Sequence, residues 1–327
     1  MAIWERALGA DHPYVASSLN NLANLHYEQG EYAEALPLYE RGLAIRERAL
    51  GSDHPDVASS LNNLALLYSN QGRYAEALPL YERALAIYER VLGPDHPCVA
   101  RSLNDLAVLY SNQGKYVEAL PLYERALAIW ERALGPDHPG VATGLNNLAE
   151  LYKEQGEYAE ALPLYERALA IRERALGPGH PDVASSLNNL ALLYSNRGKY
   201  VRALPLYERA LAIRERALGP DHPDVASSLN NLALLYSNQG KHGDALPLIE
   251  RALAIWERAL GPDHPGVATG LNNLAGLYGL QGKYAEALAL YKRAVRISEA
   301  ALGSEHPNTR EFRKNLKACQ DAKGAKG

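Results

Sequence analysis

Apolar positions along this chain come in paired helical stripes. In the segment that opens at Pro55, Leu61, Leu64, Ala65 and Tyr68 recur at helical spacing. Gly72 interrupts, and Tyr74, Ala77, Leu78, Tyr81, Ala84 and Leu85 then resume the same period. Two amphipathic helices joined by a short turn are predicted, helix A and helix B. Leu92-Gly93-Pro94 stops the second, because glycine accepts a left-handed cap conformation and proline cannot continue a helix. Pro97 suits the first turn of the next helix A, and Asp95 and His96 are both candidates for its N-cap.

This hairpin is repeated. Leu-Gly-x-x-His-Pro recurs with its histidine at His12, His54, His96, His138, His180, His222, His264 and His306, an interval of 42 residues. One element resists the helical reading: Pro37, Pro79, Pro121, Pro163, Pro205 and Pro247 each lie about one and a half turns inside helix B. Two positions beyond Ala77, Pro79 is about 200° around the wheel from the apolar stripe, so the carbonyl it strands faces water and the helix continues with a mild bend.

In the unit starting at Ala58, small or aromatic residues at Ala65, Tyr68, Tyr74, Ala77, Tyr81 and Ala84 resemble the tetratricopeptide-repeat pattern. Eight further residues lengthen helix B and build the link. The 42-residue unit closely resembles the repeats of kinesin light chains and related bacterial arrays, over nearly the whole chain. The resemblance implies an all-α helical-hairpin solenoid, a right-handed superhelix, with residues 1–9 as a partial repeat holding helix B alone. Residues 10–302 then form seven tandem units in one solenoid, and 303–327 a capping helix and short tail. In the cap, Phe312, Leu316 and Cys319 keep an apolar stripe, while Arg313 and Lys317 replace Leu61 and Ala65. No heptad region of the kind a motor light chain carries is present in the sequence.

Composition agrees with an ordinary folded chain. It has 34 basic and 38 acidic residues and is 47% hydrophobic, which disfavours disorder and a nucleic-acid partner. No apolar run approaches the roughly 20 residues of a membrane helix, and the opening residues lack a signal-peptide pattern, so no membrane contact and a cytoplasmic setting are expected. Cys98 and Cys319 have no metal-ligand or redox spacing and read as reduced thiols. Of 21 tyrosines, 18 fall in the columns of Tyr68, Tyr74 and Tyr81 and are expected in the core; His26, His242 and Ile249 are the exceptions. Trp4, Trp130 and Trp256 are spaced by 126 residues, three units, which points to duplication of a three-repeat block. The chain opens inside a helix B, which reads as a truncated array whose uncapped half-repeat offers a surface for self-association.

Candidate chemistry is sparse. Equivalent histidines in neighbouring units are two helices apart, on the order of 15–20 Å, and cannot share a zinc ion, so no metal and no cofactor are expected. No phosphate loop, nucleophile elbow or convergent carboxylate pair stands outside the repeat consensus, and the chain is read as not an enzyme. The remaining candidate is the flank of helix A. At about 100° per residue, Ser59, Asn62, Leu66 and Ser69 share one face, which lines the concave groove in arrays of the resembled family. Seven primary amides stand in one column, among them Asn62, Asn104, Asn146, Asn188 and Asn230, and each offers the donor and acceptor that an extended peptide needs. Leu66, Leu192 and Leu234 add apolar contact, and Arg101, Glu150, Lys153 and Glu154 put charge on the middle units. Two roles stand open for the amide column, ligand contact and repeat-to-repeat stacking. The function expected is a non-catalytic scaffold that binds an extended segment of a protein partner. A cargo-adaptor fragment and a regulatory array cut from a larger enzyme are the alternatives.

Overall fold

The computed structural model describes residues 9–324, and the predicted half-repeat with Trp4 lies outside the described residues. Fifteen helices follow one another, with no strand among the described residues. The A helices are α1 (Pro13–Glu28), α3 (Pro55–Asn70), α5 (Pro97–Asn112), α7 (Pro139–Glu154), α9 (Pro181–Asn196), α11 (Pro223–Asn238) and α13 (Pro265–Leu280). The B helices are α2 (Tyr32–Leu50), α4 (Tyr74–Leu92), α6 (Tyr116–Leu134), α8 (Tyr158–Leu176), α10 (Tyr200–Leu218), α12 (His242–Leu260) and α14 (Tyr284–Leu302), and α15 (Pro307–Gly324) follows them. The chain divides into two compact units, Met1–Ala161 and Leu162–Gly327.

Local chemistry sets each boundary. The link glycines, such as Gly93 at φ 88°, and the glycines of the A–B turn, such as Gly72 at φ 71°, occupy the left-handed region, which side chains with a Cβ avoid. The N-cap left open between Asp95 and His96 is the histidine. His96 Nδ1 accepts from the Cys98 backbone N–H at 3.1 Å, and His54, His138 and His222 do the same two residues on. The repeated histidine is therefore a helix cap, with Pro97 at the first helical position. Helix B runs through its proline: Pro79 lies inside α4 and is exposed, as are its five equivalents. Among the described residues no helix is long and apolar enough to cross a membrane.

Within each unit, helices pack in sequence order, A against B of its own repeat and B against the next A, and consecutive A helices also touch. The core is a series of small clusters. Ala65 of α3, Ala77 and Tyr81 of α4, and Leu106 and Leu109 of α5 form one in the first unit. Ala233 of α11, Ala245 and Ile249 of α12, and Leu274 and Leu277 of α13 form its counterpart in the second. Ile249 thus fills the tyrosine's place, fully buried. On α15, Thr309, Phe312 and Cys319 are buried whereas Arg313 and Lys317 are exposed, so the last helix turns a polar face outward.

Candidate functional site

On α3 the core stripe of Leu61, Leu64 and Ala65 is buried, and the next face along the helix carries Asn62 and Leu66. These two columns behave differently. Leu66, Leu192 and Leu234 are 43%, 37% and 39% exposed. The amides beneath them are largely covered: Asn104, Asn146, Asn188 and Asn230 are buried at 5–7% exposure, and Asn62 is half-buried.

The buried amides are engaged across the repeat interface, in two patterns. Where the next A helix carries a serine, the amide donates to it: Asn62 Nδ2 to Ser102 Oγ at 3.1 Å and Asn188 Nδ2 to Ser228 Oγ at 3.3 Å. Where that position is Gly144 or Gly270, the amide oxygen accepts instead. Asn147 Nδ2 donates to Asn104 Oδ1 at 2.8 Å, and Asn273 Nδ2 to Asn230 Oδ1 at 2.9 Å. A buried amide with these partners links one repeat to the next, and leaving either partner alone would cost about 1–3 kcal/mol.

The charged candidates separate as well. Arg101 is exposed. Lys153 is only 7% exposed, and its ammonium lies against the Glu150 carboxylate and 3.4 Å from that of Glu154. That cation is neutralised within α7 rather than displayed. In the first unit Glu150 and Glu154 border a cavity of about 430 Å³ with Val108, Tyr116, Tyr123 and Asn147. Nearby, Asp105 stands where the other A helices have Asn63 and its equivalents. Burial pushes its carboxyl up to about 6, opposed by the hydrogen bond from Asn104 and the charge of Arg101. Asn62 Oδ1 is buried without a partner, as are Asn20 Oδ1 and Asn188 Oδ1, which face asparagine at that place, so the carboxylate is not what leaves it unpaired.

A larger cavity, about 490 Å³, opens in the second unit between α11, α13 and α15. Its apolar wall includes Leu234, Leu280 and Tyr291, and Asn272, Asn273 and Asn315 are its amides, two of them joined by a bond from Asn315 Nδ2 to Asn272 Oδ1 at 3.0 Å. Column by column, this place was legible as an anomaly: Gly276, Gly279 and Leu280 replace Leu66, Ser69 and Asn70. Asp105 was a similar single-column departure. Among the described residues, no group of three histidine, cysteine, aspartate or glutamate side chains is placed to hold a metal ion.

The tetratricopeptide-repeat family model matches residues 1–48, 19–90, 56–116, 106–174, 141–216, 182–248, 224–300 and 267–326, which together span nearly the whole chain. No curated protein matches. Among solved structures, the chain is similar to the nearly identical TPR-like repeats of a Podosopora anserina protein described as a kinesin light chain. Identity there is 32%, coverage 63% of this chain and 97% of that one, and the TM-score 0.51. BtubC (BKLC) from P. vanneervenii is 28% identical, with 72% of this chain and 92% of that one covered and a TM-score of 0.54. The Rap conjugation gene regulator of plasmid pLS20, solved in complex with the Phr* peptide, is 16% identical with a TM-score of 0.63 over 87% of this chain and 75% of that one, and shares the fold alone. With eight overlapping matches from end to end, and with helix A, helix B and the glycine turns repeating in the structure at the spacing of the sequence, the chain belongs to the tetratricopeptide-repeat family.

Proposed function

We propose that the chain is a non-catalytic scaffold that holds an extended segment of a protein partner in the concave groove lined by its A helices. The observation that carries this reading is the exposed leucine column. Leu66 in the first unit, and Leu192 and Leu234 on consecutive A helices of the second, expose apolar surface at equivalent positions. Each side chain would gain by burial at about 25 cal/mol per Å² covered. The buried amides below hold that surface in register, Arg101 supplies a cation at its edge, and any contact from Asn104, Asn146 or Asn188 to a ligand backbone is secondary to stacking. Tetratricopeptide arrays are interaction scaffolds as a class. Its setting in this reading is the cytoplasm, in keeping with two free thiols.

The 32% identity to repeats described as kinesin light chain favours a second reading, a cargo-adaptor role, in which the extended segment belongs to a transported protein. Self-association through residues 1–8 concerns a segment outside the described residues.

The test is a peptide selected from a random library against the whole chain. Leu192→Glu/Leu234→Glu alters exposed positions, so affinity should fall tenfold or more while the melting midpoint shifts little. Asn104→Ala/Asn146→Ala/Asn188→Ala should lower the midpoint markedly even without peptide, because it removes buried interface bonds. A selected peptide that binds the leucine variant as tightly as the parent would overturn the proposal.

A further inference from the structure

Helix α13 holds four glycines, Gly266, Gly270, Gly276 and Gly279, and they divide by what surrounds them. A Cβ on Gly270 would stand 3.0 Å from Trp256 Cζ3, so packing requires it, whereas Gly266, whose Cβ would stand 3.1 Å from His264 Nδ1, holds a place that Asp224 fills beside the capping His222 of α11. A Cβ on Gly276 would meet only Tyr291 Oη, at an ordinary 3.6 Å, and one on Gly279 would have no neighbour within 4 Å. Neither lies in the left-handed region. Glycine is the weakest helix former after proline, so nothing in the fold accounts for these two, and both border the 490 Å³ cavity of the second unit. At the same place Leu280 stands where α3, α5, α9 and α11 carry asparagine, and it is 65% exposed. Side chains have been removed from the wall of this cavity and an apolar one added at its rim. Glu311 of α15 is the one charged residue that lines it, and it makes no ion pair among the described residues.

We propose that this cavity is a side-chain pocket of the scaffold, built for an aromatic residue of an extended peptide that carries a lysine or arginine beside it. The inference rests on the reading of the A-helix face as a peptide-binding surface and assigns it a specificity. The volume is within the range of about 300–1,000 Å³ typical of ligand pockets and suits a large ring. Leu234, Leu280 and Tyr291 would cover the ring. The Glu311 carboxylate would select the neighbouring cation, and no basic residue lines the pocket to favour an acidic peptide.

The probe is the peptide acetyl-Ser-Lys-Ser-Trp-Ser-Lys-Ser-amide. Side chains of an extended strand alternate, so a lysine two residues to either side of tryptophan shares its face in both chain directions. Titration calorimetry with the whole chain should give saturable binding, weakened at least tenfold when the tryptophan is replaced by alanine. Gly276→Leu/Gly279→Ser restores the residues of α11 and fills the pocket. It should melt at or above the parent temperature and lose tenfold or more in affinity. Leu280→Asn, a consensus change at an exposed site, should fold as the parent and weaken binding severalfold. Glu311→Lys should weaken the lysine peptide and strengthen its glutamate counterpart. Absence of binding up to about 2 mM, or equal affinity for the parent and both α13 variants, would overturn the pocket. A library-selected peptide that responds to Leu192→Glu/Leu234→Glu yet ignores Gly276→Leu/Gly279→Ser would remove the pocket and leave the scaffold reading standing. Loss of both responses would remove both.

Discussion

Two neighbouring repeat interfaces in the second unit solve one problem in opposite ways. Between α10 and α11, Arg214 is buried and its guanidinium donates to the Asp224 carbonyl at 3.0 Å, Ser228 Oγ at 2.9 Å and Ser185 Oγ at 3.1 Å. Burial pushes its pKa below the ordinary arginine value, with the Asp224 charge opposing. Between α12 and α13 the same position is Trp256, and α13 has Gly266 and Gly270 in place of Asp224 and Ser228, with Gly270 directly against the ring. Trp256 joins an apolar cluster with Val225, Leu229 and Leu271 instead of a hydrogen-bond network. A serine against Trp256 would collide with its ring, and an arginine against Gly270 would lose an acceptor. Where arginine or tryptophan holds this position, helix B matches the helix A that follows it, while Tyr88 on α4 and Ser298 on α14 occupy the same column with contacts of their own. The first unit repeats the theme with Arg46 donating to Ser60 Oγ at 2.7 Å, and with Trp130 whose ring leaves a Gly144 Cβ only 3.0 Å.

The largest effect should come from emptying the aromatic interface. Trp256→Ala is expected to destabilise the α12–α13 region by about 3–5 kcal/mol, read as faster amide exchange confined to these helices and their neighbours. Equal exchange along the whole chain would show that Trp256 is not local in its effect. Exchanging the two kinds of contact is sharper still. Trp256→Arg should cost nearly as much as the alanine change, whereas Trp256→Arg with Gly266→Asp and Gly270→Ser should recover much of it. A coupling of about 0.5–3 kcal/mol is expected for residues in contact, and strict additivity in denaturant titrations would dismiss the matched-pair account.

Asp105 sharpens the comparison at the interface of α3 and α5, where a carboxyl stands in the place of the asparagine of the other A helices. The unfolded chain holds its proton only below about 3.8, while the folded chain holds it up to about 6. The folded state therefore binds more protons across that window. Stability contributed here is full below about pH 4 and is lost as pH rises through 6. Asp105→Asn should abolish this slope and raise stability by about 1–3 kcal/mol at pH 7.5. Parallel melting-versus-pH curves for parent and variant would contradict it. The smallest effect concerns a feature both kinds of interface share. His222→Ala removes a cap and should cost about 1 kcal/mol, and His222→Asn, a good cap, should restore most of it; equal losses in thermal melts would mean that the ring acts by packing alone.

The proline inside helix B illustrates how far a single repeat can be read. Its position on the wheel relative to Ala77 already placed Pro79 toward water, and the helix does continue through it. The destination of Asn62 was not legible in the same way. Its column predicts a face but not a partner, because the Ser102 hydroxyl that accepts from it comes from a helix 40 residues on. Lys153 is a different case: Glu150 three residues before it and the adjacent Glu154 were within helical reach in the sequence, and only the packing around α7 covers the side chain.

What the sequence determined by itself was local and periodic: helix pairs every 42 residues, glycine at each left-handed turn, and an apolar stripe on one side of each helix. These follow from backbone sterics and from the 3.6-residue period, which act within a few residues of any position. Only the tertiary structure decided between Asp95 and His96 as the cap, fixed which side chains of the neighbouring repeat the amides bond to, and separated two meanings of glycine within α13. Gly270 and Gly276 are the same letter in one helix. One is required by a tryptophan ring 3.0 Å from its missing Cβ and the other leaves a cavity open, because packing is fixed by which atoms of a different helix come to lie opposite.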